Sequence, residues 1–292
     1  MTEMPKNVLA LREMIRPCRL CPRLCGVDRT AGELGACQSG AEAIVASSEA
    51  HFGEEPVLVG PGGSGTIFFG GCNLACVFCQ NHNISHPADP SAVDKSLSPG
   101  GIAELAMDMQ RRGCSNVNFV TPTHVAHAVA EAIVLARRAG LTVPVVYNCG
   151  GYESLEALRL LDGLVEIYMP DFKYAVPAAG LEYSGVADYP AAAEAAVVEM
   201  YRQVGPLAMD EAGMACRGLL VRHLVLPNDL AASYRVIDCL CSIVPGAAVN
   251  VMGQYRPAYQ SGRFPQLAGR VAGAEVQALR EYAAWHGLRR VD

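Results

Sequence analysis

The run Thr66-Ile67-Phe68-Phe69-Gly70-Gly71-Cys72-Asn73-Leu74-Ala75-Cys76-Val77-Phe78-Cys79-Gln80-Asn81 sets the terms for the whole chain. Its first four residues are β-branched or aromatic and stop at two glycines, as a short buried strand does where it meets a turn. Three cysteines then follow with the spacing Cys-x-x-x-Cys-x-x-Cys. Thiolates are soft ligands suited to iron, and one tight loop brings all three to one face. Structural zinc sites and most cluster sites take four protein ligands. A local triplet therefore predicts an iron–sulfur cluster with one iron left open, and chemistry is expected at that opening.

Outward from this loop, strand-like and helix-like segments alternate. Strands are expected at 66–69, 117–120, 143–147, 165–169, 219–226 and 248–252, each short and bounded by Gly, Pro or Asn. Between them, Ile102, Leu105, Ala106 and Met109 share a helical face, as do Val125, Val129, Ala132, Ile133 and Ala136. Ser154 is placed to cap a helix through Leu161 that Gly163 ends, and further helices are expected over 192–202, 230–242 and 274–286. Such alternation implies a parallel α/β sheet, because crossover helices join parallel strands. The pattern alone does not separate a barrel from an open doubly wound sheet.

The triplet, with Phe78 just before its last cysteine, resembles the signature of the radical S-adenosylmethionine superfamily. The wider stretch from Gly65 to Met252-Gly253-Gln254-Tyr255-Arg256-Pro257 is similar to the pyruvate formate-lyase activating enzyme-like branch. The resemblance implies a partial (βα)6 TIM-type barrel, with Cys72, Cys76 and Cys79 holding a 4Fe–4S cluster. It implies that S-adenosylmethionine chelates the fourth iron and is cleaved by one electron to a 5′-deoxyadenosyl radical that abstracts hydrogen. It also implies reduced flavodoxin or ferredoxin as electron donor and a glycyl-radical enzyme as substrate. A small molecule or peptide is the alternative substrate, and a two-cluster electron-transfer protein is the alternative of another class.

In a barrel, functional residues gather where strands end in βα loops. Those places are polar or glycine-rich here: Thr121-Pro122-Thr123-His124, Asn148-Cys149-Gly150-Gly151, Asp171-Phe172-Lys173-Tyr174 and Gln254-Tyr255-Arg256, with Arg222-His223 inside the fifth strand. At strand period two, Asp171 and Lys173 point to one face. There lysine would neutralise a carboxylate and aspartate would accept from an ammonium or hydroxyl. The resemblance carries cofactor contacts to Asp171, Lys173 and Asn81; Thr121, Thr123, Asn148 and His223 complete the expected binding set. Many members of the superfamily carry a Gly-Gly-Glu-type motif after the second strand. This chain has Thr121-Pro122-Thr123-His124 instead, so hydroxyls, carbonyls or Asp171 are expected to hold the methionine end.

A second group, Cys18, Cys21, Cys25 and Cys37, lies near the N-terminus with short, glycine-assisted spacings suited to a closed metal site. Zinc and an auxiliary iron–sulfur cluster both fit four thiolates. The chain accordingly divides into a Cys-rich segment, 1–55, and a catalytic barrel, 56–292. Cys239 and Cys241 read as packing residues. Cys149 is expected at the mouth, where a thiol would either be inert or donate hydrogen to a radical.

Composition narrows the class. The 292 residues are 51% hydrophobic and carry 12 cysteines and a net charge of −6. Hydrophobic content this high builds a packed core. The net charge gives no general attraction to nucleic acid. The first residues lack a charged head followed by an apolar stretch, and no apolar run approaches the ~20 residues that cross a bilayer. A cytoplasmic enzyme with reduced, partly metal-bound thiols is the expectation.

Overall fold

The computed structural model describes residues 3–86 and 96–291. Among them one mixed sheet of ten strands organises the chain. Its strands are β1 (Ala43–His51), β2 (Ser64–Phe69), β3 (Ser96–Leu97), β4 (Val117–Val120), β5 (Val145–Cys149), β6 (Ile167–Pro170), β7 (Ala208–Met209), β8 (Ala215–Leu224), β9 (Ala248–Met252) and β10 (Arg289–Arg290). The order is β10-β9-β8-β6-β5-β4-β2-β1-β3, with β7 hanging on β8. From β2 through β9 the long strands are parallel and follow the chain without reversal. A doubly wound sheet reverses its strand order at its switch point, and this one does not.

The expected six strands are these six, with shifted ends. The third runs 145–149 instead of 143–147, because Pro144 has no N–H for the ladder and only its carbonyl serves, accepting from Val117 N–H at 2.9 Å. The fifth begins at Ala215, four residues early, where β7 pairs with it. β1 was not expected: its polar Ser47-Ser48-Glu49 breaks apolar alternation, which an antiparallel edge partner tolerates. Its pairing with β2 means that residues 43–51 share the sheet with the second expected domain. Residues 1, 2, 87–95 and 292 of the two expected domains lie outside the described residues.

Helices α1 (Lys6–Glu13), α2 (His82–Ser85), α3 (Pro99–Arg111), α4 (Ala126–Arg138), α5 (Leu155–Leu160), α6 (Pro177–Ser184), α7 (Tyr189–Val204), α8 (Ser233–Ile243) and α9 (Gly273–Trp285) complete the chain. Ser154 caps α5 as expected, its Oγ accepting from Ala157 N–H at 3.4 Å. Strand alternation separates two faces. Ile67, Phe119, Tyr147 and Tyr168 are register partners and pack with the helices in the main cores. Each such fully buried aromatic contributes about 2–3 kcal/mol. The other face carries Val146, Ile167, Met169, Leu220 and Ala248 over Leu58, a smaller core on the inside of the sheet. Polar residues share that inner face nearer the strands' carboxyl ends, and there the candidate site lies.

Candidate functional site

The loop after β2 is fixed by backbone before its side chains come into play. Ala75 N–H donates to Ser184 O at 3.3 Å, Val77 N–H to Tyr183 O at 2.9 Å, and Gln260 N–H to Val77 O at 2.9 Å. Phe78 is 6% exposed and meets Tyr174 and Tyr255 edge-on. Gly71 has φ +83°, and a Cβ there would lie 2.7 Å from the carbonyl oxygen of Cys37. At Gly150 a Cβ would come within 2.9 Å of Leu74 Cδ1. These glycines let the loop press against its neighbours.

So held, Cys72, Cys76 and Cys79 line one cavity of about 210 Å³. Leu74 N–H donates to Cys72 Sγ at 3.4 Å. Cys76 Sγ lies 3.0 Å from Ser184 Oγ, and Cys79 Sγ 3.2 Å from Ser85 Oγ. Burial, reinforced by the neighbouring Cys76, pushes the Cys72 thiol up to about 12; burial raises Cys76 as well. Thiols raised in this way become thiolates only against strong positive charge, which metal ions supply.

Across the cavity stand Asn81, Thr121, Asn148, Asp171, Lys173 and Arg222. Lys173 Nζ donates to Asp171 Oδ2 at 2.5 Å, and Arg222 Nε donates to Asp171 Oδ1 at 3.0 Å. Arg222 Nη2 donates to Asn148 Oδ1 at 2.5 Å, and its Nη1 lies 3.6 Å from Glu54 Oε2. Burial works to raise Asp171, but Lys173 and Arg222 outweigh it and hold the carboxyl below its usual range. For Lys173, burial alone would depress the ammonium, and Asp171 turns the shift upward. Both are therefore charged at neutral pH. A second cavity of about 260 Å³ shares Phe78, Gln80, Asn81, Asp171, Lys173 and Arg222 and extends to Met252 and Gln254.

Two expected contacts lie elsewhere. His223 faces the helices: Nδ1 is 2.6 Å from Phe172 O and Nε2 is 2.9 Å from Ser233 Oγ, and its strand neighbour Arg222 takes the inward position. Thr123 turns away from the cavity and donates from Oγ1 to Glu153 Oε1 at 2.7 Å. Cys149, expected at the mouth, does line this cavity from the end of β5, and burial pushes its thiol far up. Glu153, which the sequence did not single out, is 3% exposed and also accepts from Tyr147 Oη at 3.1 Å. Burial raises it to about 7.

Cys18, Cys21, Cys25 and Cys37 do come together around one small cavity of about 10 Å³, with His124 on its wall. This group docks behind the first loop: Arg23 Nε donates to Asn73 O at 2.5 Å, and His124 Nε2 to Gly70 O at 2.8 Å. Burial pushes Cys21 up to about 12. Among the described residues, no three His, Cys, Asp or Glu side chains are drawn tightly enough to share one metal ion. For the Cys72 loop that is compatible with a cluster, where each thiolate takes its own iron. A larger cavity of about 310 Å³ lies apart, beside α1 and α4, and none of the expected site residues lines it.

No family model matches the sequence. A protein of Methanocaldococcus jannaschii, "Uncharacterized protein MJ0674", is 31% identical over 280 residues, covering 95% of this chain and 77% of that protein. Among solved structures, Streptococcus suis SuiB bound to precursor peptide SuiA overlays with TM-score 0.50 and 9% identity. The overlay covers 75% of this chain and 46% of SuiB, less than half of that longer protein. The radical S-adenosylmethionine methyltransferase TsrM of Kitasatospora setae, with cobalamin and a [4Fe–4S] cluster bound, gives TM-score 0.46 and 14% identity over 65% of this chain and 36% of its own. Among the described residues, no helix is long and apolar enough to cross a membrane.

Proposed function

We propose that this chain, which belongs to the same family as MJ0674 of Methanocaldococcus jannaschii, is a radical S-adenosylmethionine enzyme. One observation carries the reading. Three thiols of one loop form one wall of a cavity whose other wall presents a lysine, an arginine, an aspartate and two asparagines from parallel strand ends and the same loop. The unreversed strand order supports a partial (βα)6 barrel around that mouth, since right-handed crossovers then put every helix on one side.

The donor set fits a 4Fe–4S cluster: a buried thiol at Cys76 and partly buried ones at Cys72 and Cys79, each with a polar contact to sulfur, and no fourth cysteine sulfur supplied by the loop. When bound, that cluster supplies the electron that cleaves S-adenosylmethionine and so starts hydrogen abstraction. The chain's own residues bind and orient. Lys173 and Arg222 are the cations for a carboxylate. Asp171, kept ionised between them, accepts from an ammonium or a ribose hydroxyl, and Asn81 and Asn148 offer amides. Leu74, Phe78 and Leu224 give the cavity apolar walls that exclude water, which a reactive carbon radical requires.

Within this reading the substrate is a backbone glycine of a glycyl-radical enzyme, and the donor is reduced flavodoxin or ferredoxin; both follow from resemblance to the activating enzymes. The test is anaerobic reconstitution with iron and sulfide, followed by dithionite and S-adenosylmethionine. Formation of 5′-deoxyadenosine by the wild type and not by Cys76→Ala is the expected result. A full cluster without that product would turn the reading toward electron transfer.

A further inference from the structure

The three sulfurs of the Cys72 loop are not equally served. Cys72 Sγ accepts from a backbone N–H, that of Leu74, at 3.4 Å. Cys79 Sγ lies 3.2 Å from Ser85 Oγ, but that hydroxyl is also 3.0 Å from His86 Nδ1, a second place for its one hydrogen. Cys76 Sγ lies 3.0 Å from Ser184 Oγ, whose other partner is the phenol oxygen of Tyr174 at 2.8 Å. Ser184 and Tyr174 are both 0% exposed, so this pair is shut away from bulk solvent.

A hydroxyl has one hydrogen, and that fixes the direction of the chain. A cysteine sulfur bound to iron is a thiolate and only accepts. Ser184 then donates to Cys76 Sγ, and the bond between the two oxygens uses the phenol hydrogen, which a tyrosine keeps at neutral pH. The order is Tyr174 O–H to Ser184 Oγ, then Ser184 O–H to Cys76 Sγ. Each bond polarises the next, so the sulfur meets a stronger donor than a lone serine. Neither donor is free to swing away. Ser184 is the last residue of α6, and its carbonyl accepts from Ala75 N–H in the cysteine loop at 3.3 Å. The Tyr174 ring packs against Phe78, Tyr183 and Tyr189.

We propose that Ser184, oriented by Tyr174, donates to the Cys76 thiolate and raises the reduction potential of the cluster; the inference rests on the reading that this loop holds one. Ser184 touches no substrate and acts through Cys76, as Tyr174 acts through Ser184. Reduction adds one electron, and so negative charge, to the cluster and its thiolates. A donor on sulfur stabilises the more negative state, so its loss lowers the potential. Water entering a loosened pocket acts in the opposite direction, because it too stabilises the added charge. The sign of the change therefore separates a lost hydrogen bond from disturbed packing.

The test is a redox titration with dithionite, followed by electron paramagnetic resonance, on the full chain reconstituted anaerobically with iron and sulfide and without S-adenosylmethionine. Relative to wild type, Ser184→Ala should keep a full 4Fe–4S signal. At a fixed potential its ratio of reduced to oxidised cluster should fall about tenfold, a midpoint about 59 mV more negative for one electron. Tyr174→Phe keeps the ring, removes only the phenol, and should shift the midpoint the same way by less. An unchanged or raised midpoint in Ser184→Ala with a full cluster would overturn the assignment and leave the cluster reading intact. If Ser184→Ala holds no cluster, Tyr174→Phe decides: a lowered midpoint upholds the chain of donors and an unchanged one overturns it. A wild type without a 4Fe–4S signal would overturn the cluster reading, and this assignment with it.

Discussion

The two cysteine groups sit back to back, with Gly71 against the carbonyl of Cys37, yet they face different surroundings. Cys72, Cys76 and Cys79 open on a cavity of about 210 Å³ lined by the charged Asp171, Lys173 and Arg222 and the amide of Asn148, from the ends of β5 and β6 and from β8. The N-terminal four enclose about 10 Å³ and have a histidine and a buried arginine for company. Thiol count and spacing alone would rank the quartet as the stronger metal motif. What distinguishes them is the rest of the wall: one has room and convergent polar groups, as ligand sites do, and the other is nearly closed.

The comparison breaks most severely if Gly71 is changed. Gly71→Ala puts a side chain at φ +83° and against the Cys37 carbonyl, so both cysteine groups must move. A loss of about 3 kcal/mol or more is expected, seen as a lower midpoint in chemical unfolding, with the iron content after reconstitution reduced. An unchanged unfolding midpoint would show that the two groups do not rest on this contact.

Glu153 sharpens the comparison from the side, since it is held by Thr123 and Tyr147 between the two groups. Its folded pKa of about 7 lies above the ordinary 4.5. Between those values the folded chain keeps a proton that the unfolded chain has released, so stability present below pH 4.5 declines as pH rises through about 7. That amounts to a decline on the order of 3 kcal/mol. Asp171, shifted the other way, adds stability that is lost only as pH falls, so the difference between wild type and Glu153→Gln isolates Glu153. Urea titrations from pH 4.5 to 8 should show the variant gaining relative to wild type as pH rises. A constant difference would mean that Glu153 stays ionised in the fold.

Lys173→Ala is expected to weaken S-adenosylmethionine binding roughly 30-fold, about 2 kcal/mol, by calorimetry of the cluster-loaded protein. Unaltered affinity would remove Lys173 from the mouth's binding set. Smallest of all, Arg16→Ala breaks an exposed pair with Glu13 at the surface and should leave Tm unchanged within error.

Much of the mouth was legible in the sequence because its parts are local. The triplet is one loop, and Asp171 and Lys173 are two residues apart and reach the same cavity. The choice between Arg222 and His223 was not legible, because a parallel strand is buried on both faces and its pattern does not say which side is inward. Thr123, Cys149 and Glu153 form a group that only the fold assembles, and burial of the Glu153 carboxyl leaves no mark in composition. β1 escaped because Ser47-Ser48-Glu49 reads as loop until β2 is there to pair with it. His124 was expected beside the mouth, and the fold turns its ring to the wall of the other cavity.

The most direct measurement is the electron paramagnetic resonance spectrum of the reduced, cluster-loaded chain before and after S-adenosylmethionine is added. The account predicts a 4Fe–4S signal whose g-values shift on addition, because a loop with three thiolates leaves one iron for the ligand to reach, and predicts that the shift is lost in Lys173→Ala at limiting ligand. A 4Fe–4S signal indifferent to S-adenosylmethionine at saturating concentration would contradict it.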